Sequence, residues 1–287
     1  MKKFSILFSL FFFSLIFAQE AEKFPLHKYK IATLSDSLSE TSGLTFLKDR
    51  LYTFNDGGNP NEFYEISPET GKIIKKFQTN FDNKDWEAIT NDGEELYIGD
   101  FGNNAGKRKD LSVYQINTND LENYKKIEFE YKDQTDFSPP YLNHDFDAEA
   151  MIFLNGNIHI FTKKWASKEV SHYIVNPLTK EKQTVEKIET YPTGFVVTDA
   201  AYYQKKLYVV GYTREAEVFM MIFDENENGH FFGKEAKKYK LGSALTVGQV
   251  EGIAVNSKGI YISNENFSKY FFKVKQNLYF ISFENLK

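Results

Sequence analysis

Asp85-Trp86-Glu87-Ala88-Ile89, followed by Glu95-Leu96-Tyr97-Ile98-Gly99-Asp100, is one of five copies of a single pattern. An acidic or small residue precedes a small one and an apolar one; a turn and an alternating strand follow. The other copies are Ser42-Gly43-Leu44 with Arg50 to Asp56, Glu149-Ala150-Met151 with Asn157 to Phe161, Asp199-Ala200-Ala201 with Lys206 to Gly211, and Glu251-Gly252-Ile253 with Gly259 to Asn264. Successive copies begin 45 to 62 residues apart, a spacing close to that of propeller blades. Each unit adds a third strand, and most add a fourth after turn-forming residues such as Ser67-Pro68-Glu69-Thr70-Gly71. No helical periodicity interrupts the series. The expected fold is all-β, a five-bladed β-propeller built from four-stranded antiparallel blades. The fifth unit stops after three strands, and Tyr29 to Leu34 can supply the fourth, which closes the ring and covers an edge. A six-bladed ring is the alternative, with an extra strand pair between the second and third units.

Residues 1–18 read as a signal peptide: Lys2 and Lys3 lead, Phe4 to Phe17 is apolar with serine interruptions, and Ala18-Gln19 offers a cleavage point. An uncleaved anchor is the alternative, although the run is short for a span of roughly 20 residues. The protein is therefore expected to be exported, periplasmic or secreted, with residues 19–287 forming one propeller domain. There is no cysteine, which excludes disulfides, thiolate metal sites and a cysteine nucleophile. The formal charge is −5, and loss of Lys2 and Lys3 makes it about −7. Lysine doublets are scattered and no basic block forms, so nucleic acid is not an expected partner.

In a blade, the start of the innermost strand and the end of the second lie side by side at one mouth of the central channel. Five units gather Ser42, Glu87, Glu149, Asp199 and Glu251 there, with Asn55, Asp56, Asp100, Asn103, Lys163, Lys164, Arg214, Asn264 and Glu265. Asp85 and Asp147 stand two residues before Glu87 and Glu149, on the same face of an extended strand. Two carboxylates about 5 Å apart repel by roughly 3 kcal/mol at an effective dielectric of 20, so such a cluster needs relief. Calcium suits a set of carboxylates, amides and carbonyls, with Glu87, Glu149, Asp199 and Glu251 as its ligands. The alternative is structural: the acidic residue at each inner strand accepts from backbone N–H groups of the next blade. His144, Asp85 and Asp147 are the candidate proton acceptors. Arg108, Lys163, Lys164 and Arg214 are candidates to clamp an anion.

Thr41-Ser42-Gly43-Leu44, Phe54-Asn55-Asp56-Gly57-Gly58, Asp85-Trp86-Glu87-Ala88-Ile89 and Gly99-Asp100-Phe101-Gly102-Asn103-Asn104 together resemble a group of exported bacterial propellers related to phytase-like esterases and to quorum-sensor-regulated propeller proteins. The likeness spans most of the mature chain and is thinnest in the fourth unit. More distantly, the ring is similar to calcium-dependent lactonase and phosphotriesterase propellers of the gluconolactonase kind. That resemblance implies a calcium at the mouth held by Glu87, Glu149, Asp199 and Glu251. The asparagines those enzymes carry on inner strands have no counterpart here. Two functions follow as expectations. One is a metal-dependent hydrolase of a phosphoester or lactone. The other is a monomeric, non-catalytic module that grips a small anionic ligand or a protein loop.

Overall fold

Valine, isoleucine, tyrosine and phenylalanine dominate the apolar segments, and such residues favour strands whose two faces are both covered. The computed structural model describes residues 20–269 and 271–286; the leader expected over residues 1–18 lies outside the described residues. Five four-stranded antiparallel blades make up the chain. From the axis outward, blade 1 comprises Thr41–Leu47, Arg50–Asn55, Glu62–Ile66 and Ile73–Gln78. Blade 2 comprises Trp86–Asn91, Leu96–Asp100, Ser112–Asn117 and Asp120–Tyr131. Blade 3 comprises Asp147–Leu154, Asn157–Lys163, Val170–Val175 and Lys187–Tyr191. Blade 4 comprises Val196–Tyr203, Lys206–Tyr212, Glu217–Asp224 and Lys237–Ser243. Blade 5 comprises Val250–Asn256, Gly259–Asn264, Asn277–Ser282 and, from the other end of the chain, Lys30–Thr33.

Each inner strand touches the next, and that of blade 5 touches that of blade 1, so the protein is a closed five-bladed β-propeller. Lys30–Thr33 pairs antiparallel with Asn277–Ser282, the closure expected from the sequence. The long stretch between units two and three forms the outer strand of blade 2 and a loop over residues 132–146; it adds no sixth blade. Two short parallel strands were not legible beforehand. Gln183–Val185 leaves blade 3 to pair with the edge of blade 2, and Glu22–Lys23 covers the edge of blade 4. Both cap rows of unpaired backbone groups, the common liability of outer strands.

Five apolar clusters fill the five junctions between blades. At the junction of blades 1 and 2, Phe54 meets the wholly buried Trp86 edge-on at 5.9 Å, a favoured aromatic geometry. Blades 1, 3 and 4 join their inner pair by two-residue turns, Lys48-Asp49, Asn155-Gly156 and Gln204-Lys205, all at positive φ. Such turns match the strand twist. Only Asn155-Gly156 carries the usual sequence, which is why the other two escape detection.

A second regularity sits at the axis. In every blade the ladder between inner and second strands slips once near its start. In blade 2, Trp86 pairs with Asp100 and Ala88 with Gly99, leaving Glu87 as the bulged residue. Glu149 is bulged in blade 3 and Glu251 in blade 5. In blade 4 the slip falls one residue earlier, at Thr198. In blade 1 it falls at Gly43-Leu44, where Gly43 adopts φ +65°, a conformation glycine reaches without penalty.

Candidate functional site at the acidic mouth

Bulges re-aim side chains, and here they set Glu87, Glu149 and Glu251 at the mouth where inner strands begin. The ends of the second strands add Asp56, Lys163 and Glu265, and the chain before the inner strands adds Asp85 and Asp147. The far end of the channel differs. Leu44, Ile89, Ile152, Ala201 and Ala254 are among its lining residues, and that lining includes no charged residue.

Three of the mouth's carboxylates converge. One oxygen each from Asp56, Asp85 and Glu87 lies within 4.8 Å of the others. Gly57 and Gly102 make room for them: a Cβ on Gly102 would lie 2.4 Å from Glu87 Oε1 and 2.6 Å from Asp85 Oδ2, and one on Gly57 would lie 2.4 Å from Asp85 Oδ1. Burial pushes the Asp85 carboxyl up to about 6, reinforced by the charge of Asp56. Burial likewise raises Asp56, and raises Glu87 well above the ordinary range, with Asp56 and Glu149 adding to it.

Across the mouth, Lys163 is buried and in contact with Glu149. Burial alone would pull its ammonium down, but Glu149, Tyr212 and Glu251 hold it well above the lysine range. Asp147 Oδ1 accepts from Asn103 N at 2.6 Å, while its Oδ2 is buried without a partner. Burial raises Asp147, against the pull of Lys163 and the Asn103 N–H. Glu251 accepts from Tyr212 Oη at 3.0 Å. Burial raises it too, and raises Glu265 to about 8 with help from Glu251. Six carboxyls, those of Asp56, Asp85, Asp147, Glu149, Glu251 and Glu265, thus share the buried ammonium of Lys163.

The remaining sequence candidates are placed otherwise. Asp199 stands in the ladder because the bulge of blade 4 falls at Thr198, and a one-residue shift sends a side chain to the other face. Its oxygens accept from Ala200 N at 2.8 Å, Ile253 N at 2.7 Å and Leu44 N at 3.2 Å. It therefore ties blade 4 to blades 5 and 1, as the structural alternative anticipates. Burial pushes its carboxyl well up, opposed by those three donors. The 4.8 Å group that contains Glu87 does not include Glu149, Asp199 or Glu251.

Arg108 is committed to its surroundings. It lies 2.8 Å from Asp100 Oδ1 and 3.1 Å from Asp110, and it donates to the carbonyls of Gly102 and Asp100. Asn103 joins this loop by accepting from Arg108 N and donating to Phe146 O. Both nitrogens of His144 meet backbone: Nδ1 accepts from Phe146 N at 3.1 Å, and Nε2 lies 3.0 Å from Asn104 O. Lys164 pairs with Glu169 and Asp145. Asn55 donates to Ser37 O, and Asn264 donates to the carbonyls of Glu265 and Lys275. Arg214 is exposed at the rim.

Sequence reasoning missed Trp165 and Tyr212, which flank the mouth. Their signal is positional: Tyr212 ends the second strand of blade 4 and Trp165 follows that of blade 3, the location that supplies Asp56 and Asp100 elsewhere.

Because Gly102 leaves the space that the two carboxylates occupy, Gly102→Ala is expected to displace them while leaving the blades folded. The check is cation binding by calorimetry alongside the melting temperature. A variant that binds cations like the wild type would show that the close approach is not needed.

No protein-family model and no curated protein matches the chain. Among solved structures, it is similar to a candidate 6-phosphogluconolactonase from Bacteroides uniformis, at 11% identity and TM-score 0.38, covering 86% of this chain and 71% of the other. It is similar to a hypothetical protein from Leishmania major at 10% identity and TM-score 0.48, covering 89% and 91%. It is also similar to a candidate oxidoreductase of the glucose dehydrogenase kind from Thermus thermophilus, at 12% identity and TM-score 0.44, covering 86% and 85%. At such identities these are likenesses of fold.

Proposed function

We propose that the mouth binds a divalent cation through Asp56, Asp85 and Glu87, and that the protein, exported to the periplasm or medium, uses it to hold a small anionic ligand. One observation carries the reading: the three oxygens lie within 4.8 Å of one another. Two oxygens that each lie about 2.4 Å from one calcium ion stand at most about 4.8 Å apart. Among the described residues, no lysine or arginine forms an ion pair with these three carboxylates. An all-oxygen set favours calcium over zinc.

When bound, the cation would polarise a phosphoryl or lactone carbonyl oxygen. The chain's own residues divide the remaining tasks. Lys163 neutralises the far side of the mouth through Glu149, and Arg214 meets the anion at the rim. Asp147, with its free buried Oδ2, is the group to accept a proton from water, which makes hydrolysis of a phosphoester or lactone the finer reading. The second reading is a binding module without turnover, favoured by His144, whose ring nitrogens both face backbone groups.

The test is the melting temperature of the chain without residues 1–18, in EDTA and then with Ca²⁺, Mg²⁺ or Zn²⁺. At a calcium concentration of 100 times Kd, mass action adds about 2.7 kcal/mol. The shift is expected to vanish in Glu87→Gln. No shift with any metal in the wild type removes the cation reading.

Proton competition gives a further check. Asp85 and Glu87 hold their protons to higher pH than ordinary carboxyls, and ligands must be deprotonated to bind. Calcium affinity is therefore expected to strengthen as pH rises from about 6 to 8, with protons released on binding. Calorimetry in buffers of different ionisation enthalpy measures that release. An affinity that does not change with pH contradicts the assignment of these carboxyls.

A further inference from the structure

Beside the acidic mouth, between blades 3, 4 and 5, lies a cleft of about 190 Å³ walled by the rings of Trp165, Tyr212 and Phe267, with Arg214 and Gln249 at its edge. It communicates with the mouth through shared residues. Tyr212 Oη donates to Glu251, and Glu265 N donates to Gln249 O at 3.0 Å. Lys163 Nζ stands 5.7 Å from the ring centres of both Trp165 and Tyr212.

Two features distinguish this cleft from ordinary surface relief. The guanidinium of Arg214 lies over the Trp165 indole at 5.3 Å, which stiffens both groups and holds a cation beside an aromatic face. Trp165 Nε1 is buried and has no acceptor. An unmet buried donor costs about 1–3 kcal/mol. The volume is below the roughly 300–1,000 Å³ typical of drug-sized ligands, so the space accommodates one ring and little more.

We propose that this cleft selects the ligand: the protein takes a small anion that carries a flat ring, with the ring face against Trp165 and Tyr212 and the anionic group between Arg214 and the mouth. The inference rests on the mouth being the binding site, and it adds that a ring is required. Aromatic walls reward a flat partner by offset or edge contact beyond simple area burial, whereas a short alkyl anion would leave the cleft unfilled.

Phenyl phosphate and methyl phosphate serve as the probes. Each is titrated against the mature protein in EDTA and in Ca²⁺, and binding is read by calorimetry and tryptophan emission. The chain has two tryptophans, and Trp86 is wholly buried, so a ligand-dependent change in emission reports Trp165. Phenyl phosphate is expected to bind about tenfold more tightly than methyl phosphate in both buffers, on the scale of one buried ring contact, and to change the emission. Trp165→Ala is expected to abolish that preference, Trp165→Phe to retain part of it, and Arg214→Ala to weaken both phosphates alike. Melting temperatures of the variants establish that they are folded.

Equal affinity for the two phosphates, binding of neither, or a preference that survives Trp165→Ala overturns the proposal. A ring preference in EDTA without any calcium shift in melting temperature supports the cleft and removes the cation reading. A calcium shift without a ring preference does the reverse.

Discussion

Lys163→Met is expected to destabilise the protein by about 3–5 kcal/mol near pH 8, the cost of leaving one partner of a buried ion pair uncompensated. Lys163 is the buried cation that six carboxyls of the mouth share, and it contacts Glu149 directly. Because Asp85, Asp147, Glu251 and Glu265 all have folded pKa values raised by burial, the folded state binds more protons than the unfolded chain between about pH 4 and 8. Stability then falls as pH rises through that window, and the ammonium moderates the fall. Without it the decline steepens, so the deficit of Lys163→Met is larger near pH 8 than near pH 5.5. Urea unfolding at the two pH values measures the difference. An equal deficit at both would mean that the lysine acts through its contacts with Trp165 and Tyr212 and not through its charge. Calcium is expected to restore part of the loss at the higher pH.

The second large effect is at Asp199. Removing its carboxylate in Asp199→Ala leaves three buried N–H groups, on Ala200, Ile253 and Leu44, without their acceptor. At about 1–3 kcal/mol for each unmet group, the total is on the order of 3–9 kcal/mol, a large share of the roughly 5–15 kcal/mol of a typical domain. Asp199→Asn keeps one oxygen but turns an NH₂ towards another N–H, so it is expected to fall between wild type and alanine. Hydrogen exchange locates the damage: the amides of Leu44 and Ile253, in two different blades, should lose protection together. A cost below about 1 kcal/mol for Asp199→Ala would show that water replaces the carboxylate and that the three blades are not held through it.

The blades were legible because their cause is periodic. Trp86-Glu87-Ala88 and its counterparts mark each inner strand, and alternation marks the second and third. The closing strand, Lys30–Thr33, was found because a missing edge strand has to come from somewhere. The site was legible only as a neighbourhood. Asp85 and Glu87 were read into different roles, proton acceptor and ligand, yet their oxygens converge with that of Asp56. Asp199 aligns with Glu87, Glu149 and Glu251 in sequence, but the bulge in its blade sits one residue earlier, and no glycine or proline announces that shift. Arg108 looks like a free cation in a loop. Asp100 and Asp110 claim it only once the loop closes. Trp165 and Tyr212 carry only a positional signal, at the ends of second strands, which is easily lost because aromatic residues are common throughout this chain.

The bulges separate what each blade needs for folding from what it offers at the mouth. A residue in the ladder is constrained twice, by its hydrogen bonds and by the neighbours on its face. The residue at the slip gives up its place in the register, so exchanging it alters the chemistry of the mouth while the strand pairs on either side keep theirs. Glutamate takes this place in three blades, and the blade 4 bulge shows that a one-residue displacement turns a carboxylate from the mouth into a tie between neighbours. Glu87, Glu149 and Glu251 are thus three separately adjustable positions on a common frame, while Gly43, at φ +65°, and Thr198, whose hydroxyl donates to Val250 O, are held by the fold.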